Sequence, residues 1–138
     1  MHKRWSGAPG QALVEMTLAL GVLILLIFGS ICAVQWAMAS YSVTQAARAA
    51  AHQAALLGGD DGPQGTVVAA ARQALAGGIG MRSERATVVV TCATTPCRRY
   101  TLITVRVRYE DGFWAPIGPF SELRTEATAT RAAERDQQ

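Results

Sequence analysis

Between Glu15 and Arg48 the chain carries no charged residue. Within that stretch, Met16–Met38 is apolar except for Thr17, Ser30, Gln35 and small residues. A helix needs about 20 apolar residues to cross the roughly 30 Å hydrocarbon core of a bilayer. In lipid every backbone polar group must be satisfied internally, so a run of this kind is a helix or it is not inserted. His2, Lys3 and Arg4 precede it, and no positive charge follows until Arg48. The positive-inside bias therefore predicts a cytoplasmic N-terminus and an extracytoplasmic remainder. Trp36 and Tyr41 fall where an outer interfacial aromatic belt is expected.

The helix is expected to continue past the membrane. Val43–Ala55 contains seven alanines, the strongest helix formers, and no breaker occurs before Gly58-Gly59. This predicts one helix over 11–57, spanning the membrane and continuing as a stalk. Gly29, Ala33 and Ala37 recur every fourth residue, and Ala46, Ala50 and Ala54 repeat the spacing. Such small residues let helices approach closely in lipid, although glycine and alanine are common in membrane helices in any case. Cys32, mid-span, reads as a small apolar filler. The loop 58–65 is dense in turn residues. Its Asp60 and Asp61 lack the further oxygen ligands of a calcium loop and read as a solvated turn.

Residues 66–138 read as a small α+β domain. Thr66 is placed to cap a short helix whose Val68, Ala71 and Leu75 share a face, ended by Gly77-Gly78. Ala86–Cys92 and Arg99–Tyr109 are Val- and Thr-rich strands around the turn Ala93-Thr94-Thr95-Pro96. Pairing Cys92 with Cys97 across that hairpin places Val90 opposite Arg99 and Ala86 opposite Ile103. Val88, Val90 and Cys92 then share a face with Ile103, Val105, Val107 and Tyr109. A Cys92–Cys97 disulfide is therefore expected. A zinc site is the competing reading of the cysteine pair, but His2 and His52 lie elsewhere on the chain. Leu123–Arg131 alternates again and adds a third antiparallel strand. The apolar segment Phe113–Phe120 either folds back over its own sheet or presents a docking surface. The predicted fold is thus a membrane-anchored α+β protein: a long transmembrane and stalk helix, a short helix and about three antiparallel strands.

The net charge of +3 does not imply nucleic acid as a partner. Residues 48–138 carry eleven Arg against nine Asp or Glu, without a basic stripe. With two histidines, neither beside a plausible nucleophile, and no nucleophile elbow, phosphate loop or paired carboxylates, no enzyme is expected. No metal or cofactor is expected either.

A basic leader, Met1–Gly10, runs directly into Gly10-Gln11-Ala12-Leu13-Val14-Glu15-Met16. Glycine, four residues, glutamate and a bulky apolar residue at the lip of a membrane helix resemble the processing site of type IV pilin-like proteins. The alanine-rich 43–51 stretch, the cysteine hairpin, the Pro-and-aromatic segment and the closing 123–131 strand are, in that order, similar to the TadE-like pseudopilins of tight-adherence (Flp) pili. Met16 departs from the Phe or Tyr more often found there. Three fates are open to the apolar segment: a plain signal anchor, a secretory signal cut before Ser40, or a pilin-type helix cut after Gly10 and retained. The run is long for a secretory signal, and only the last fate accounts for both Gly10 and Glu15.

The resemblance implies a minor pilin or pseudopilin in tight-adherence pilus assembly, held in the cytoplasmic membrane and open to incorporation in a pilus. Its implied partners are other pilins through the N-terminal helix, a prepilin-type peptidase acting at Gly10-Gln11, the inner-membrane assembly platform and membrane lipid. Glu15 would be the assembly charge, neutralising the freed amine at Gln11 of a neighbouring subunit. The alternative for Glu15 is a carboxylate snorkelling to the inner headgroups. The alternative for the whole chain is a single-pass, membrane-anchored extracytoplasmic binding module outside any pilus.

Overall fold

The computed structural model describes residues 9–117 and 120–136. Met1–Ala8, and with them most of the basic leader, lie outside the described residues, as do Gly118 and Pro119. Helix α1 is Pro9–Leu57, 49 residues long and unbroken. At 1.5 Å per residue it is about 73 Å long. A shorter helix, α2, is Thr66–Ala76, and a 3-10 turn, Ser83–Arg85, leads into the sheet. Strands β1 (Ala86–Cys92), β2 (Leu102–Ile117) and β3 (Phe120–Ala132) form an antiparallel meander in the order β1-β2-β3.

The lower part of α1, through Ile31, is exposed on every side, whereas burial begins at Cys32 and Gln35 and continues through Ala39, Val43 and Ala46 to Ala55. These positions recur every three or four residues, as a helix with one covered face requires. The alanines form two adjacent rows, Ala46-Ala50-Ala54 and Ala47-Ala51-Ala55, all at most 1% exposed. Two elements are there to cover them, α2 and the sheet, and α1 touches both. Small side chains on the central helix are what allow that double approach. The expected stalk is therefore the spine of the domain rather than a free rod. Ala46, Ala50 and Ala54 are used within the chain.

The sheet contributes Ile103, Val105, Val107, Tyr109 and Leu123 to the core, and α2 contributes Val67, Ala71 and Leu75. The opposite face of the sheet carries Thr and charged residues, among them the cross-strand pair Arg106–Glu126 at 3.2 Å. At such exposed positions a pair of this kind is worth under about 1 kcal/mol, so the apolar face holds the sheet in place.

The expected register of the first hairpin differs from the observed one. Ala86 faces Tyr109, Val88 faces Val107, and Cys92 faces Ile103. Cys97 lies off the ladder, buried and bonded to Cys92 with the Cα atoms 5.5 Å apart. The connection is longer because a second turn follows the disulfide loop. Thr101 N–H bonds Arg98 O at 3.0 Å, and Tyr100 adopts a positive φ of 66°. Strand β2 therefore starts at Leu102, not Arg99. The slip is an even number of residues, so the apolar face is the expected one.

The start of α2 also differs from expectation, since Thr66 is not its cap. The Asp61 carboxylate accepts the backbone N–H groups of Thr66 and Val67 and the Thr66 hydroxyl. Thr66 is the first residue of α2 and caps nothing with its own side chain. The cap comes from Asp61, upstream, and satisfies donors that a helix start leaves open.

Candidate assembly and membrane interface

Residues 10–31 form a bare apolar cylinder about 33 Å long at helical rise. Met16, Leu18, Leu25 and Leu26 are each about two-thirds exposed or more. That length matches the hydrocarbon core of a bilayer. The expected span, Met16–Met38, overlaps this bare segment through Ile31, and its upper part, from Cys32, is where the domain's contacts begin. Cys32 lies at the upper end of the bare segment and is buried.

At the lower end, Gly10, Gln11 and Glu15 occupy the first two turns of α1 and are exposed. Gln11 Nε2 donates to Glu15 Oε1 at 3.4 Å, one helical turn away. A Cβ added at Gly10 would meet nothing within 4 Å, and the same holds at Gly29. The fold of the isolated chain makes no demand for glycine at either position, although glycine is a poor helix former. Ala33 and Ala37 are exposed like Gly29, so this stripe lies outside the face the domain covers.

At the upper end of the bare segment, the β2–β3 hairpin meets α1. Gln35, 6% exposed, accepts the Trp114 N–H on Oε1 at 2.9 Å, and its Nε2 lies 3.4 Å from Gly112 O. Farther up, Ser40 Oγ and Thr125 Oγ1 are 3.3 Å apart, and Glu134 N–H bonds Ala55 O at 2.8 Å. Strand β3 therefore runs parallel to α1, and β2 runs back toward the bare segment. From Phe113, which packs against the core, the apolar segment continues as strand β2 to Ile117, and Gly118 and Pro119 lie outside the described residues. Trp114 lies against the turn after α2, where a Cβ on Gly80 would collide with its indole.

A polar cluster stands just above this contact. Arg82 makes a bidentate ion pair with Asp111, with Nε to Oδ2 at 2.9 Å and Nη2 to Oδ1 at 2.5 Å. Tyr109 donates its hydroxyl to Asp111 Oδ2 at 2.8 Å and accepts the Arg82 N–H at 3.2 Å. Burial opposes ionisation of Asp111, but the Gly112 N–H, Arg82 and Tyr109 together hold its carboxyl below the usual value. Burial, joined by Asp111, pushes the Tyr109 phenol up. The cluster ties the 3-10 turn to the sheet. Among the described residues, no group of three His, Cys, Asp or Glu is placed to hold a metal ion.

The sequence pointed to the disulfide pair but not to the contacts of Gln35, Asp61 and the Arg82–Asp111–Tyr109 cluster. Gln35 did leave a signal, as the one large polar side chain in the apolar run. Asp61 and Asp111 left none, since both sit among ordinary polar neighbours.

Fold and exposure together define a class: a small α+β domain built on the upper half of one membrane-length helix whose lower half is bare. Residues 10–52, the bare segment and the first part of the buried one, match the family model described as TadE-like protein. The resemblance read from the Gly10–Met16 junction and the alanine-rich stretch is thus met at the family level, over α1. No curated protein and no solved structure matches the chain.

Proposed function

We propose that this chain is a minor pilin or pseudopilin of a tight-adherence pilus system, a structural and not a catalytic component. The observation that carries the reading is a TadE-like match centred on a helix whose lower half is bare and carries one carboxylate, Glu15. In this reading residues 10–31 cross the cytoplasmic membrane with the domain outside, and a prepilin-type peptidase cuts after Gly10. The steric freedom at Gly10 supports a demand for glycine that comes from outside the fold. The partners are other pilins and the inner-membrane assembly platform.

The chemistry of assembly follows from the position of Glu15. A carboxylate in the membrane helix costs about 3 kcal/mol toward the bilayer centre and less near its edge. A freed amine at Gln11 of a neighbouring subunit would neutralise it and set the helical register, because an unpaired charge in a low-dielectric bundle is strongly unfavourable. The bare helix then exchanges lipid for the helices of other subunits, with Gly29, Ala33 and Ala37 permitting close approach.

The test is Glu15→Gln in a strain carrying only that variant. Membrane fractionation is expected to be normal, since a charge has been removed from the helix, while co-purification with other pilins and piliation are lost. Normal piliation would remove the assembly role of Glu15 and favour a simple anchor.

A further inference from the structure

The bare helix ends at Ile31, and the first features above it are aromatic and apolar. Trp36 on α1 is 54% exposed, Trp114 at the meeting of β2 with α1 is 57% exposed, and Ile79 in the turn after α2 is 72% exposed. The Trp114 N–H is bonded to Gln35, so Trp36 and Trp114 lie at one level. That level is about 6–7 Å beyond Ile31 at helical rise. Ile79 joins them through its neighbour Gly80, which lies against the Trp114 ring. The three side chains are carried by three different elements, and all sit where α1 emerges from its bare segment. On the neighbouring part of the sheet Arg82 pairs with Asp111, and Arg124 pairs with Glu122 and Glu110; Glu122 stands opposite Gly112.

We infer that Trp36, Ile79 and Trp114 form a rim that inserts into the outer interfacial layer of the bilayer, so that the domain rests on the membrane instead of standing off it. Indole rings favour the headgroup level, where the ring is shielded and the N–H remains hydrated. The occupant is lipid because the rim is continuous with the bare helix and lies at the height where a bilayer around residues 10–31 ends. The inference rests on the membrane-spanning part of the proposed function and not on its pilus part.

The experiment uses the full chain in phosphatidylcholine vesicles with acyl chains brominated either near the headgroup or near the terminal methyl. With Trp5→Phe and Trp36→Phe, Trp114 is the sole indole. Its emission is expected to fall at least twofold with the shallow bromolipid and much less with the deep one. In a chain with all three tryptophans replaced by Phe, Tyr100→Trp, at the far end of the domain beside Ala133, is expected to be unquenched. In the same background, Leu23→Trp is expected to be quenched by the deep lipid. An unquenched Trp114 beside a quenched Leu23→Trp would overturn the rim and leave the span standing. Crosslinking of Trp114 to a second copy in place of quenching would assign the face to protein contact. Leu23→Trp unquenched by either lipid would overturn the span and the rim together.

Discussion

Gln35 Oε1 accepts the backbone N–H of Trp114 at 2.9 Å, joining the only large polar side chain of the Met16–Met38 run to the descending β2–β3 hairpin. The contact marks where bare helix becomes spine of the domain. Gln35→Ala leaves a part-buried N–H without its acceptor, a loss of about 1–3 kcal/mol. Hydrogen exchange in detergent is expected to show faster exchange at Trp114, with the upper sheet at Val105 and Val107 little changed. Unaltered protection at Trp114 would mean the contact adds nothing.

Asp61 and Asp111 are expected to make the domain acid-sensitive. Burial raises both carboxyls, but hydrogen bonds outweigh it and leave both below the ordinary 3.8. A folded-state value below the unfolded one stabilises the fold above the unfolded value, and the gain is lost as pH falls through the folded value. Denaturant stability is therefore expected to be flat near neutrality and to decline below about pH 4. Asp61→Asn with Asp111→Asn should be less stable at neutral pH and show a shallower acid decline. Asp61→Ala alone should cost about 1 kcal/mol, as the loss of a helix cap does.

The disulfide offers a third check. Alkylation in denaturant without reductant, followed by mass spectrometry of the native protein, is expected to label Cys32 and leave Cys92 and Cys97 unmodified. Replacing the bonded pair with serines should cost about 2 kcal/mol, since the closed loop is short. Labelling of all three cysteines would refute the bridge.

Two glycines should respond in opposite ways. Gly58 has a φ of +78°, and a Cβ there would run into the backbone carbonyl of Arg135. Gly58→Ala is expected to cost at least 1–3 kcal/mol, from the left-handed backbone alone. Gly29 faces open space, so Gly29→Ala should leave domain stability unchanged. A bulkier Gly29→Leu, equally harmless to the fold, should reduce co-purification with other pilins if the Gly29-Ala33-Ala37 stripe packs against them.

The long helix, the three strands and their apolar face were legible because each rests on local periodicity. The absence of charge from Met16 to Ala47 and the alanines beyond it fix α1, and period-2 alternation fixes which side of β1, β2 and β3 is buried. The pairing Ala86–Tyr109 was not legible, because alternation is indifferent to an even slip and the turn at Arg98–Thr101 carries no strong local signal. That the domain packs on α1 from Cys32 onward was not legible for a related reason. Hydropathy measures how apolar a residue is and not what covers it, and Ala39, Val43 and Ala46 read alike whether lipid, a neighbouring helix or the chain's own sheet lies against them.

By itself, then, the sequence determined a membrane-length helix with Gly10 and Glu15 at its start and a small α+β domain stapled at Cys92–Cys97. Only the tertiary structure decided that the domain folds around α1 from Cys32 onward, that Asp61 caps α2, and that Gln35 receives the hairpin. Each of these joins residues on different elements of the fold. Such contacts are selected by the close packing of α1, α2 and the sheet against one another, which no window along the chain contains.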